Sequence, residues 1–146
     1  MPPYSLHRLK WGGPVSTIAA ILANLLYYGV TNALGEHYLM PLEGANPQLL
    51  RMPVLMPVVL TLTAGLLATF FFAMLIRFSR RPGIVFLSVC LTALLLSFGG
   101  PFNMPAAVMQ TKILLSGMHV LAAILITGGI LLTSSTNTEF HQKTPR

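Results

Sequence analysis

Residues 53–76 read PVLMPVVLTLTAGLLATFFFAMLI, an apolar run without a charged side chain. A bilayer core about 30 Å thick is crossed by roughly 20 helical residues at about 1.5 Å each. The run meets that length, and hydrocarbon demands that its backbone groups bond internally, as they do in a helix. Pro57 lies in the opening turns, so the run predicts either a kink there or a late helix start.

Three further runs flank it. The first covers 15–34, behind Trp11-Gly12-Gly13-Pro14. Pro14 suits a first helical turn, Gly35 suits a C-terminal cap, and Trp11 suits an interfacial anchor just outside the helix. The third covers 82–98, between Pro82-Gly83 and Gly99-Gly100-Pro101. It is short for a span, which calls for an upright helix or for borrowed flanking residues. The fourth covers 111–133, with Lys112 placed to snorkel toward the interface. The first run is too long for a signal-peptide core, and no small-residue cleavage site precedes Glu36, so it is expected to stay as a helix.

These runs predict one transmembrane domain over 1–146. Its fold class is all-α, an integral membrane four-helix bundle made of two helical hairpins. An extracytoplasmic loop, 35–52, carries the turn makers Pro41, Gly44, Asn46 and Pro47 and is long enough to cap the bundle. A polar tail, 134–146, follows the last run.

Composition agrees. Of 146 residues 54% are hydrophobic and 8% charged, with a mean hydropathy of +0.73. A soluble domain carries about 25% charged residues. The net charge of +6 would suggest nucleic acid in a soluble protein, but here the basic residues sit between apolar runs. Arg8, Lys10, Arg77, Arg80, Arg81, Lys143 and Arg146 fall on one side. Only Arg51 and Lys112, beside Glu36 and Glu43, fall on the other. The positive-inside rule then puts both termini in the cytoplasm. Cys90, the sole cysteine, excludes an internal disulfide and reads as a small packing residue.

Ionisable or amide side chains inside a span are functional candidates, because hydrocarbon penalises them by several kcal/mol. No Asp or Glu lies in any of the four runs, which argues against proton-coupled transport. His119, in Ser116-Gly117-Met118-His119, can donate one hydrogen bond and accept another, or hold a haem or quinone. Asn24, in the middle of the first run, needs amide partners in lipid. If the first and fourth runs are antiparallel, Asn24 and His119 lie at similar depths and can meet. Stripes read as packing faces: Thr61, Gly65 and Thr69, and Ser88 and Thr92, at four-residue spacing; and Ser116, His119, Ala123 and Thr127 along one side of the fourth run. Asn24, His119, Ser116 and Thr127 are the expected interhelical polar contacts. Arg77, Arg80 and Arg81 suit anionic lipid head groups or an acidic partner. The methionines are scattered without Met-x-Met spacing, and no metal site is expected.

The order of these features resembles a family of small bacterial four-helix membrane proteins known only as a domain of unknown function. The resemblance is carried by Ala23-Asn24-Leu25-Leu26-Tyr27-Tyr28 with Gly35, by the Pro-rich start of the second run, by Arg77-Phe78-Ser79-Arg80-Arg81-Pro82, and by Met118-His119-Val120 with Ala122-Ala123. It implies a bacterial inner-membrane setting and the same fold, and no reaction. With no nucleophile–base pair or carboxylate dyad in the runs, an enzyme is not expected. The expected function is a non-catalytic accessory subunit of a larger membrane complex, of respiratory or photosynthetic type. Its partners would be the bilayer and other subunits or a second copy, and not nucleic acid. The alternative is a stand-alone lipid, quinone or haem binder or carrier centred on His119 and Asn24.

Overall fold

The computed structural model describes residues 4–36, 38–41, 49–103 and 109–136. It is built of α1 (Leu6–Ala33), β1 (Leu39–Pro41), β2 (Leu49–Arg51), α2 (Leu55–Phe78), α3 (Pro82–Ser97), α4 (Gly99–Phe102) and α5 (Met109–Ser134). Four helices are long and apolar enough to cross a membrane: α1, α2, α5 and the stretch Pro82–Phe102 formed by α3 and α4. The short third run thus gains length from its flanking residues. Among the expected features, Glu43, Gly44, Asn46 and Pro47, and tail residues 137–146 with Lys143 and Arg146, lie outside the described residues.

Helix boundaries differ from the apolar runs in instructive ways. The first helix begins at Leu6, well ahead of Val15, so Trp11, Gly12, Gly13 and Pro14 are helical rather than a preceding turn. Packing overrides the turn chemistry, because both glycines are buried against neighbouring helices. Trp11 remains 73% exposed, as an interfacial side chain would be. The second helix starts late, at Leu55, which makes Pro57 its third residue. The first four N–H groups of a helix have no partner inside it, so the proline removes no bond there. The last helix runs through Ser134, one residue into the expected tail.

Gly35 ends α1 as its position in the sequence suggests. Its φ of 89° is the only positive one among the described residues. In that conformation Gly35 N–H donates to the Asn32 carbonyl (3.1 Å) and Glu36 N–H to the Thr31 carbonyl (2.9 Å). This is the double closure of a Schellman cap, which favours glycine because a Cβ strains the left-handed backbone.

Two reciprocal seams hold α1 between α2 and α5. Each seam pairs Gly-x-x-x-Ser/Thr segments running antiparallel. Thr17 of α1 fills the notch at Gly65 of α2, while Thr69 of α2 fills the notch at Gly13 of α1. Likewise Ser16 of α1 sits on Gly129 of α5, and Thr133 of α5 sits on Gly12 of α1. A Cβ added at any of these glycines would overlap the side chain it admits. The four hydroxyls bond backward within their own helices: Ser16 to Gly12 O (2.6 Å), Thr17 to Gly13 O (2.8 Å), Thr69 to Gly65 O (2.7 Å) and Thr133 to Gly129 O (2.6 Å). The hydroxyls therefore contribute close contact rather than interhelical bonds, and van der Waals packing of small residues holds such seams in lipid.

The third helix is held differently. Its buried residues are Pro82 and Phe86, both in its first turns. Phe86 stacks at a tilt on Phe72 (4.6 Å between ring centroids), and Phe72 meets Tyr4 edge-on (5.2 Å). Beyond Phe86 the helix has no buried side chain, and the Ser88/Thr92 stripe faces outward. Among the described residues that stripe packs on no neighbouring helix of the chain; Thr92 donates to the Ser88 carbonyl (3.0 Å).

The two ends of the described chain meet. Tyr4 forms an isolated bridge with Ser135, Ser5 N–H donates to Ser134 O (3.0 Å), and Arg8 Nη1 donates to Ser135 O (2.8 Å). The Tyr4 hydroxyl also covers Gly83, which brings the α2–α3 turn with Arg77, Arg80 and Arg81 to this same end. All three arginines are exposed.

Candidate functional site

Among α2, α3 and α5, with Asn24 of α1 at its wall, lies a cavity of about 550 Å³. Small side chains make the room: Ala64 and Ala68 on α2, Ala93 on α3, and Ala122 and Ala123 on α5 all line it. Phe71 and Phe86 line one part of it, and Met52 and Leu115 line another. Its size lies within the range of small-molecule sites, as does a mainly apolar lining with a few polar groups.

Those polar groups include Asn24, Thr61, His119 and Thr127, one or more from each of α1, α2 and α5. Asn24 is buried and donates from Nδ2 to Thr61 Oγ1 across the α1–α2 contact (2.9 Å). An interhelical bond of this kind contributes roughly 0.6–2 kcal/mol. The other end of the amide is unsatisfied: Asn24 Oδ1 is buried with no hydrogen-bond partner among the described residues. Leaving a buried carbonyl unpaired costs about 1–3 kcal/mol.

His119 is half-buried, and its Nδ1 lies 2.7 Å from the Leu115 carbonyl, one turn back on α5. A carbonyl only accepts, so Nδ1 carries the proton. In the neutral ring that leaves Nε2 an acceptor. Asn24 and His119 line the same cavity, as their depth in the sequence suggests, but the bond Asn24 makes is to Thr61. Ser116 donates to the Lys112 carbonyl of its own helix (2.8 Å), the nearest acceptor to a helical hydroxyl. Thr127 is buried, with its side chain beside the Cys90 thiol of α3.

A cap covers the end of α1 and the start of α5. β1 and β2 pair antiparallel, with Leu39 opposite Arg51 and Pro41 opposite Leu49. The flanking residues Tyr38 and Met52 are buried with Leu115 and Met118. Tyr28 stacks on Tyr38 (4.9 Å between centroids) and donates its hydroxyl to Met52 O (2.7 Å). Thr31 gives its proton to the Tyr27 carbonyl (2.8 Å), so the Tyr38 hydroxyl donates to Thr31 Oγ1 (2.9 Å). Burial pushes the Tyr38 phenol above its ordinary 10.0; the Thr31 bond opposes this, and Tyr27 and Tyr28 add to it. Leu39 N–H donates to Thr111 Oγ1 (3.3 Å), which ties the cap to α5.

The stripe of Thr61 pointed to this site without naming its bond. The role of Met52, a cap residue that reaches the cavity, has no signal in the sequence beyond a methionine near a span. Arg77, Arg80 and Arg81 stand apart from the cavity, on the exposed turn at the other end of α2. Among the described residues no cluster of three or more His, Cys, Asp or Glu side chains is placed to hold a metal.

A family described as "Family of unknown function (DUF6069)" matches residues 5–135. No curated protein and no solved structure matches the chain.

Proposed function

The chain belongs to that family of unknown function, and from this footing we propose that it binds or carries a small apolar molecule in the cavity centred on Asn24 and His119. The observation that carries the proposal is an apolar cavity of about 550 Å³ whose wall gathers Asn24, Thr61 and His119 among small apolar side chains. A mainly apolar pocket with a few converging polar groups is the usual form of a small-molecule site. Binding without conversion is the better reading of the polar groups. Ser116 and the His119 Nδ1 are each bonded to a carbonyl of their own helix, so no nucleophile–base pair forms between them.

In this reading the protein lies in a bacterial inner membrane as two helical hairpins with both termini cytoplasmic. The meeting of the chain ends with Arg8 and the Arg77–Arg81 turn at one end of the bundle supports it, because basic residues stay on the cytoplasmic side. Arg77, Arg80 and Arg81 there face lipid head groups or an acidic partner. The test is purification in mild detergent, followed by identification of co-purifying small molecules by mass spectrometry. An apolar molecule in stoichiometric amount, absent from an Ala123→Phe variant, is the expected result. Equal, non-specific lipid in both would defeat it. A haem would announce itself by a visible absorption band lost in His119→Ala.

One observation favours a second reading, an accessory subunit of a larger membrane complex. Only 6% of the Pro82–Phe102 window is buried, against 28% for α1, so this helix offers most of its surface to lipid or to another chain. Recovery of the protein with a stoichiometric complex from its own host would establish that role.

A further inference from the structure

Taking the cavity as the functional site, we infer that it is filled from the side: its ligand is a chain-bearing lipid already dissolved in the bilayer, which enters through a slot between α2 and α3. The inference follows from which lining residues are exposed. Leu60, Ala64 and Leu67 on α2 and Val89 and Ala93 on α3 line the cavity and are exposed at the same time. Leu67 is 64% exposed and Val89 43%. No lining residue of α5 is exposed, and the lining residues nearest the cap, Met52, Pro57, Leu115 and Met118, are buried. Among the described residues the cavity therefore reaches the surface on its α2–α3 side and not through the cap.

The course of the two helices explains the slot. They leave the 79–81 turn and touch close to it, where Phe72 and Phe71 meet Phe86 (4.6 and 6.4 Å between centroids). That contact, backed by Tyr4, closes the cavity toward the arginines. Leu67 and Ala93 stand equally far from Arg80 along the chain, which puts them at about one level of the bundle. Both belong to stretches long and apolar enough to cross a membrane, so hydrocarbon rather than water lies outside the slot. A water-borne solute has no wetted mouth to enter by, whereas a lipid chain meets an apolar one.

The test is photolabelling of the full chain, stripped of lipid by detergent exchange and reconstituted into vesicles. One preparation carries phosphatidylcholine with a diazirine in mid-acyl chain; the other, in plain phosphatidylcholine, receives a water-soluble diazirine. Peptide mass spectrometry locates the adducts. The chain-borne probe should label Cys90 and His119, at the cavity wall, as well as Leu95 on the exposed face of α3. The water-soluble probe should label neither Cys90 nor His119. Ala64→Trp, a bulky ring at an exposed lip of the slot, should abolish the labelling of His119 and leave Leu95 labelled. Cavity labelling by the water-soluble probe overturns the lateral route and leaves the cavity as a binding site. Labelling of His119 undiminished in both Ala64→Trp and Ala93→Trp overturns the slot in the same way. Absence of cavity labelling by either probe defeats the site itself, and with it the function proposed above. The comparison of the two probes in the unaltered chain decides the matter even if a lip variant fails to fold.

Discussion

The α1 seams and the α3 contact solve one problem, helix association in lipid, by opposite means. Along α1, glycines and hydroxylated residues over 12–17 interlock with α2 and α5. Along α3, two side chains near its start, Pro82 and Phe86, are all that is buried. Backbone approach leaves no space; a helix whose middle buries no side chain leaves a cavity beside it. The bundle is thus α1 locked to both α2 and α5, and a Pro82–Phe102 stretch that buries side chains only toward its two ends, Pro82 and Phe86 at one and Pro101 at the other. The room for a ligand follows from that asymmetry.

The comparison is most exposed to failure at the seams. Gly65→Leu or Gly129→Leu should destabilise the protein by about 3 kcal/mol or prevent its folding, since overpacking typically costs about 1–3 kcal/mol and sometimes more. Thermal or SDS-induced unfolding in detergent would measure it, and Thr17→Ala should recover part of the milder Gly65→Ala defect. Survival of the leucine variants at full stability would show that the seams are not the tight half of the molecule. Next in size is Ala123→Phe, which fills the cavity: ligand occupancy should vanish while stability shifts by less than about 1.5 kcal/mol, because the space to receive a ring is already present. A large loss of stability would mean that the α3 side is as closely fitted as the seams.

Asn24→Leu acts at the boundary between the two regions. It removes the Thr61 bond, but it also removes the unpaired carbonyl, so the net change should stay within about 1 kcal/mol. The smallest effect belongs to the outer face of α3. Leu95→Ala, at a side chain 61% exposed in the protein, should alter stability by less than about 0.5 kcal/mol.

The cap adds a pH test. Folding holds the Tyr38 phenol neutral above its ordinary 10.0. Because the folded value is the raised one, the contribution of Tyr38 is fully present below about pH 10 and is lost as pH rises through the folded value. Hydrogen exchange of the Leu39 amide, bonded to Thr111, should accelerate in that alkaline window beyond its normal pH slope. Tyr38→Phe should abolish the transition.

The spans were legible from hydropathy alone because lipid imposes length and apolarity on every crossing segment. Gly35 was legible because a left-handed cap has few other residues to choose from. The start of α1 was not. Gly12-Gly13-Pro14 has the local chemistry of a turn, and only contact with Thr133 and Thr69 makes it helical. The choice of stripes was similarly hidden: Thr61, Gly65 and Thr69 pack inward, while Ser88 and Thr92, at the same spacing, face out. Spacing gives a face but not its direction, and in a helix apolar all round nothing else marks it. Asn24 and His119 stood out because polar groups are rare in the spans. The bond to Thr61 needed the register between α1 and α2, which no single helix contains.

The inward-bent hydroxyls of the seams have a bearing on biogenesis. Ser16, Thr17, Thr69 and Thr133 each bond a carbonyl of their own helix, so none waits for a neighbour to satisfy it. Each helix can therefore leave the translocation machinery and enter hydrocarbon with these hydroxyls already quenched. Docking is then a separate, later event governed by shape. Asn24 and Thr61 differ: the Asn24 Nδ2 and the Thr61 oxygen find each other only after α2 has arrived, which makes that contact a natural checkpoint on whether the first two helices have met.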